Sequence, residues 1–303
     1  MEKSFKVYLF LSLKGLAMGA ANVIPGVSGG TIALITGIFE QLINSIKSFN
    51  LKAIKLLFTG KFREFAQYIN LGFLIAVFSG IGLSIISIAK LFDYLFINHP
   101  IFIWSFFFGL ILASIYFVAK TISKVSLGVV ISFIFGAVVA LIITFLTPAT
   151  ENSHAWYLFI CGVIAACSMI LPGLSGSFIL ILLGNYQLVM IEAVNKLDFK
   201  TLAPVAIGAI VGLLGFSHIL AWIFKKFKDQ TISLLSGFIL GSLPILWPWK
   251  EEIVEVFGEK TKVIGYNWLI PSQFNQEVII AVTLILLGII SIWVLEKVAN
   301  NSK

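Results

Sequence analysis

Apolar residues along this chain fall into ten segments, near residues 5–24, 31–47, 68–90, 100–119, 126–147, 155–171, 177–194, 203–224, 231–248 and 277–298. Several are close to the roughly 20 residues that a helix needs to cross a bilayer. Two breaks interrupt apolar sequence without adding charge, NVIPGVSGGT at residues 22–31 and MILPGLSGSF at 169–178. A shift of 147 residues places Gly15 on Gly162, Pro25 on Pro172, Gly26 on Gly173, Ser28 on Ser175, Gly29 on Gly176, Ile32 on Ile179 and Gly37 on Gly184. Further on, GLILAS from Gly109 answers GFILGS from Gly237. The pattern predicts an all-α polytopic membrane protein, one membrane domain over residues 1–303, built from repeats at about 5–147 and 155–298.

Each repeat holds five apolar segments. Five crossings are an odd number, and so are the three that remain if the first two segments form a hairpin that turns back midway; either way the second repeat is inverted, and only a single broken helix built from both arms would make it parallel. The arms around Pro25 have only about 17 residues each, the lower limit of a span, and carry Lys14, Asn22, Glu40, Gln41 and Asn44. Non-helical backbone at membrane depth is tolerated only inside protein or beside water. Each repeat is therefore expected to be a re-entrant helical hairpin plus three transmembrane helices, with the two hairpin tips entering from opposite faces and meeting near the midplane.

Composition agrees with a membrane class: 59% hydrophobic and 12% charged residues leave too little polar surface to cover a soluble chain of 303 residues. The net charge of +7 is a topological signal rather than a nucleic-acid one. With the N-terminus inside, the inner ends and loops hold 15 Lys or Arg and the outer ones 6, as the positive-inside rule requires; both termini are then cytoplasmic. The basic stretch after residue 50 reads as an amphipathic helix on the inner leaflet, with Leu51, Ile54, Phe58, Phe62 and Phe65 toward lipid. Lys14 cuts the first apolar run too short for a signal peptide. Cys161 and Cys167, six apart in one segment, read as packing residues on different helix faces.

The breaks also suggest chemistry. A helix restarting after each turn offers N–H groups without intrahelical partners and a partial positive charge. Ser28, Gly29, Gly30 and Thr31, with Ser175, Gly176 and Ser177, would cup an anion such as a phosphate or a carboxylate. Small residues also let membrane helices pack closely; the duplication at equivalent positions favours binding, because paired interrupted segments in inverted halves mark a transporter site. Lys14 reads either as the counter-charge, sharing a face with Met18 and Asn22, or as a side chain reaching the interface. Glu40 reads as a carrier of a coupling proton or as a partner of Lys14, and His218 as a titrating group or a packing one. No nucleophile–base pair or metal-ligand spacing points to an enzyme.

AANVIPGVSGGTIALITGIFEQLI, with LPGLSGS and LLGNYQLV, resembles the PopT polyprenyl-phosphate transporter family over essentially the whole chain. That resemblance implies a flippase of the bacterial cytoplasmic membrane that returns undecaprenyl phosphate, the lipid carrier of cell-envelope synthesis, to the inner leaflet. It needs no bound cofactor, with a proton or sodium gradient as the possible drive, and the bilayer and the lipid as partners. The family's turn falls on Pro25, Gly26, Ser28, Gly29, Gly30 and Thr31; with Pro172, Gly173, Ser175, Gly176, Ser177, Lys14 and Asn22 these are the candidate phosphate-binding residues. The family's GxYE element falls on Gly37, Phe39 and Glu40; in the second repeat Gly184, Tyr186 and Gln187 lack its acid. The alternative from the residues alone is an ion-coupled transporter of a small soluble anion.

Overall fold

The computed structural model describes residues 5–23, 28–146, 148–257 and 260–301; Pro25 and Gly26 lie outside them. Five helices among the described residues are long and apolar enough to cross a membrane: α7 (Pro100–Ala119), α8 (Leu127–Phe145), α12 (Phe199–Lys226), α13 (Lys228–Ser242, extended by a 3-10 turn to Leu246) and α14 (Gln276–Asn301). The chain is a multi-pass membrane protein. A sixth long helix, α6 (Leu71–Asn98), matches α12 in its 28 residues. Before α6 come α1 (Phe5–Val23), α2 (Gly29–Ile35), α3 (Phe39–Lys47), α4 (Leu51–Phe58) and α5 (Phe62–Tyr68). Before α12 come α9 (Ala155–Ile170), α10 (Gly176–Leu182), a π-helical segment Gln187–Ala193 and the short α11 (Val194–Lys196).

Glycines set the helix crossings. A Cβ on Gly15 would overlap the carbonyl of Val77, and one on Gly80 that of Ser12, so α1 lies directly on α6. The same relation joins Gly162 to Val205 and Gly208 to Phe159, which seats α9 on α12. Gly109 meets Ile285 and Gly288 meets Phe106 where α7 crosses α14; Gly237 meets Phe133 and Gly136 meets Leu234 where α13 crosses α8. Backbones approach this closely only where no side chain intervenes. Between α1 and α6, α9 and α12, and α8 and α13 the contact numbering rises together, as in Gly15–Val77 with Gly19–Ile81, or Phe133–Gly237 with Ala137–Gly241, so the helices of these three pairs run in the same direction.

Two departures from the sequence reading have local causes. The amphipathic stretch is two helices rather than one, because Gly60 takes φ 69° and ends α4; Leu51, Ile54, Phe58 and Phe62 are exposed as expected, while Phe65 is half-buried. The fold is also not wholly helical. Residues expected as an outer loop form an antiparallel pair, β1 (Lys250–Phe257) and β2 (Lys260–Trp268), with a register shift between Ile253 and Val254. Val and Ile alternating with charged residues suit a pleated, half-buried ribbon, and that period was masked by the acidic character of the stretch.

Candidate functional site

The two glycine–serine breaks come together. After α1, Ser28 caps α2 in extended geometry (φ −116°, ψ 146°), its Oγ accepting from Thr31 N at 3.4 Å. After α9, Ser175 caps α10 in nearly the same geometry (φ −117°, ψ 141°), its Oγ accepting from Phe178 N at 3.2 Å. Leu171 ends α9 because the residue before a proline is driven to extended angles, here φ −71° and ψ 131° ahead of the buried Pro172. Gly173 then turns at φ 83°.

Hydrogen bonds cross between the tips. Ser28 Oγ donates to the Leu171 carbonyl at 3.2 Å, and Gly173 N donates to Thr31 Oγ1 at 3.1 Å. A Cβ on Gly30 would stand 2.6 Å from the Ile170 carbonyl. Ser28, Gly29, Gly30, Thr31, Gly173 and Gly176 are buried, Ser175 is half-buried and Ser177 is exposed. The tips differ in one way that bears on anions. Asn22 Oδ1 accepts from Gly29 N at 2.6 Å, whereas the equivalent position in the second tip is Met169, whose side chain packs on Gly176. Beside Met169, Ser175 and Ser177 place their hydroxyls 3.4 Å apart.

Both tips lie beside the midpoints of long helices. Gly19 packs on Ser84, halfway along α6, and Cys167 reaches the carbonyl of Gly212, halfway along α12. Each of those helices is about 42 Å long at 1.5 Å per residue, and the C-terminal parts of α1 and α9 pack beside their middles.

The remaining candidates are more distant in the network. Lys14 Nζ donates to the Thr36 carbonyl at 2.8 Å, at the C-terminal end of α2 and away from Ser28. A cation suits that end of a helix. Glu40 is exposed and lies 3.8 Å from Lys228 at the start of α13. His218 Nδ1 is 2.8 Å from the Leu214 carbonyl within α12. Gly37 and Gly184 share a left-handed turn, φ 72° and 71°, which splits each apolar arm in two. In the second repeat Gln187 donates to Glu192 Oε1 at 3.1 Å, so a carboxylate missing from the sequence element is supplied five residues later.

The cross-tip bonds make a first prediction. Thr31→Val preserves shape but leaves Gly173 N without its acceptor, which costs about 1–3 kcal/mol when the group is buried. Thermal unfolding of the purified variant should show that loss; an unchanged midpoint would mean that the bond contributes nothing.

A family model described as undecaprenyl phosphate translocase-like matches residues 18–264, a span that contains both tips and the helices that seat them. The chain belongs to this family. It is 42% identical over 303 residues to a Vibrio cholerae protein named polyprenyl-phosphate transporter, with 97% of this chain and 98% of that relative covered. A Staphylococcus aureus protein of the same name is 34% identical over 253 residues, covering 78% and 85%. No solved structure matches the chain.

Proposed function

We propose that this protein is a flippase that moves undecaprenyl phosphate between the leaflets of a bacterial cytoplasmic membrane, with the paired tips holding the phosphate midway. The observation that carries the reading is the bonding between the tips. Ser28 O–H and Gly173 N–H are donors that now serve neutral acceptors on the opposite tip. A phosphate oxygen is a stronger, charged acceptor; by taking both donors it would bind and unlock the tips in one event. Carrying that charge through hydrocarbon without such replacement of its water costs many kcal/mol. The names of both relatives support the substrate and a transport role rather than an enzymatic one.

Two inverted halves, each a re-entrant hairpin followed by three spans, account for the contacts. Successive spans alternate in direction, and α8 runs with α13. Hence α7 opposes its counterpart α13, and α6 opposes α12. The positive-inside count then puts both termini in the cytoplasm and the β-hairpin outside. In this scheme Pro25, Gly26, Ser28, Gly29, Gly30, Thr31 and Asn22 form one side of the phosphate site and Pro172, Gly173, Ser175, Gly176 and Ser177 the other. Lys14, anchored to the same hairpin, supplies positive charge. Glu40 and His218 are the candidates for coupling to a proton or sodium gradient.

Vesicles containing labelled undecaprenyl phosphate test this. Wild type should transport the phosphate but not the uncharged polyprenol, and Lys14→Ala should lower phosphate transport roughly tenfold, as for loss of one unit charge about 10 Å away, the length of α2, in a partly buried setting. Equal transport by the variant removes Lys14 from the site. No phosphate-dependent transport by the wild type discards the flippase in favour of a soluble-anion carrier.

A further inference from the structure

Above the outer ends of α7 and α13 sits a lysine that the tips do not use. Lys250, the first residue of β1, places its ammonium 3.5 Å from the ring centre of Trp104 in α7 and 4.5 Å from that of Tyr266 in β2. It donates to the carbonyl of Ile245 in the 3-10 turn that ends α13. Among the described residues no carboxylate lies within ion-pair distance of it. An ammonium has three donors, and one neutral carbonyl with two ring faces is an incomplete set for a charge withdrawn from water.

The surroundings are aromatic and contain another unused donor. Trp104 packs edge-on against Phe96 at 5.0 Å, Tyr266 lies 6.2 Å from Trp268, and Trp247 lies 5.4 Å from Trp249. Trp247 Nε1 and Trp268 Nε1 donate to Leu269 and Pro244 carbonyls, whereas Trp249 Nε1 is buried with no acceptor. Below lies an apolar plug of Trp104, Phe107, Ile239, Leu243 and Leu246, which reaches Ala21 beside the first tip. Lys250 itself keeps a solvent-accessible edge, so a ligand arriving from outside meets it before the plug.

We propose that Lys250 is the entry-site cation for the lipid phosphate, held ready by the Ile245 carbonyl and released to a phosphate oxygen that arrives at the outer mouth. This rests on the flippase reading and extends it to a residue outside the tips. The exchange is favourable because a charged acceptor replaces a neutral one, while the ring faces continue to hold the cation. Trp104 links the event to the plug, since it is both a wall of the lysine site and part of the apolar seal. Burial pushes the ammonium down to about 7, with Glu252 on the same strand pulling it up. Tyr266, whose own ionisation burial and Glu252 oppose, stays a neutral wall. His99, at the start of α7, stacks on Phe102 instead.

Initial transport rates against lipid concentration, in vesicles of wild type, Lys250→Gln and Lys250→Arg, provide the test. Lys250→Gln should raise KM for undecaprenyl phosphate roughly tenfold with kcat little changed, as expected for loss of a charged hydrogen bond made on capture. Lys250→Arg should restore most of the affinity. Tryptophan emission of the intact wild type should change on adding undecaprenyl phosphate and not on adding polyprenol, because the ammonium shifts on the Trp104 face. A wild-type KM in Lys250→Gln, or emission indifferent to the phosphate, overturns the assignment. Should wild type fail to transport at all, the flippase reading falls, and the emission titration still decides whether Lys250 meets the lipid phosphate.

Discussion

Gly30→Val should abolish transport, by about a hundredfold or more, in a protein that still inserts and accumulates. Gly30 sits in the second position of α2 with ordinary helical geometry, so valine meets no backbone prohibition there. The obstacle is the opposite tip. Even a single Cβ would stand 2.6 Å from the Ile170 carbonyl, a backbone atom that cannot swing aside. The branched side chain would hold the tips apart and break the pair of bonds that Ser28 and Thr31 make across them. A loss of about 3 kcal/mol from a site assembled by that contact corresponds to the expected fold-change. Gly29 is the internal control. The nearest atoms its Cβ would meet belong to the Asn22 side-chain amide, at 3.0 Å, a side chain that can shift at the expense of its bond to Gly29 N where the Ile170 main chain cannot, so Gly29→Ala should be milder. Measured side by side in vesicles, equal activity of Gly30→Val and wild type would remove the tip contact from the transport cycle.

Gly237→Leu should instead destabilise the whole protein, by roughly 3 kcal/mol. Gly237 touches the Phe133 carbonyl while Gly136, on the facing helix, touches the Leu234 carbonyl. The two contacts lie within one turn and lock α13 to α8 from both sides. A leucine cannot be accommodated by rotamer choice, because its Cβ already overlaps main chain. The helices must separate, which opens gaps along a crossing whose close contact supplies the dispersion energy of the pair. Thermal unfolding in detergent should fall by several degrees. Retention of the wild-type midpoint would show that the crossing relaxes without cost. The matching position Gly109, against Ile285, should behave alike, since the same geometry recurs in the other half.

These positions also divide what can be read in one dimension from what cannot. The duplicated Pro-Gly-x-Ser-Gly breaks, the repeat offset and the placement of Ser28 and Ser175 as helix caps follow from local chemistry: proline interrupts helical bonding, glycine permits the turn, and a serine hydroxyl satisfies an N–H three residues on. Composition and apolar length settled the membrane class, because too few charges were present to cover a soluble surface. By contrast, the splitting of each arm at Gly37 and Gly184 rests on a left-handed backbone turn that their neighbours Thr36 and Asn185 do not announce, and the β-hairpin was concealed by acidic residues typical of a loop.

What only tertiary structure decided are the partners. The sequence offers Lys14 as a counter-charge, Asn22 as a residue on the same helix face and Thr31 as part of an anion cup, without naming a partner within the protein for any of them. Packing sends Lys14 to the Thr36 carbonyl, Asn22 to the Gly29 amide and Thr31 across to Gly173, more than a hundred residues away. It also lifts Lys250 from an ordinary loop cation to an ammonium walled by two rings. A hydrophobic pattern specifies which face a residue occupies through energies that depend on burial alone, whereas hydrogen bonds and cation–ring contacts depend on distance and angle. Those are properties of two segments brought together, and neither segment contains them by itself.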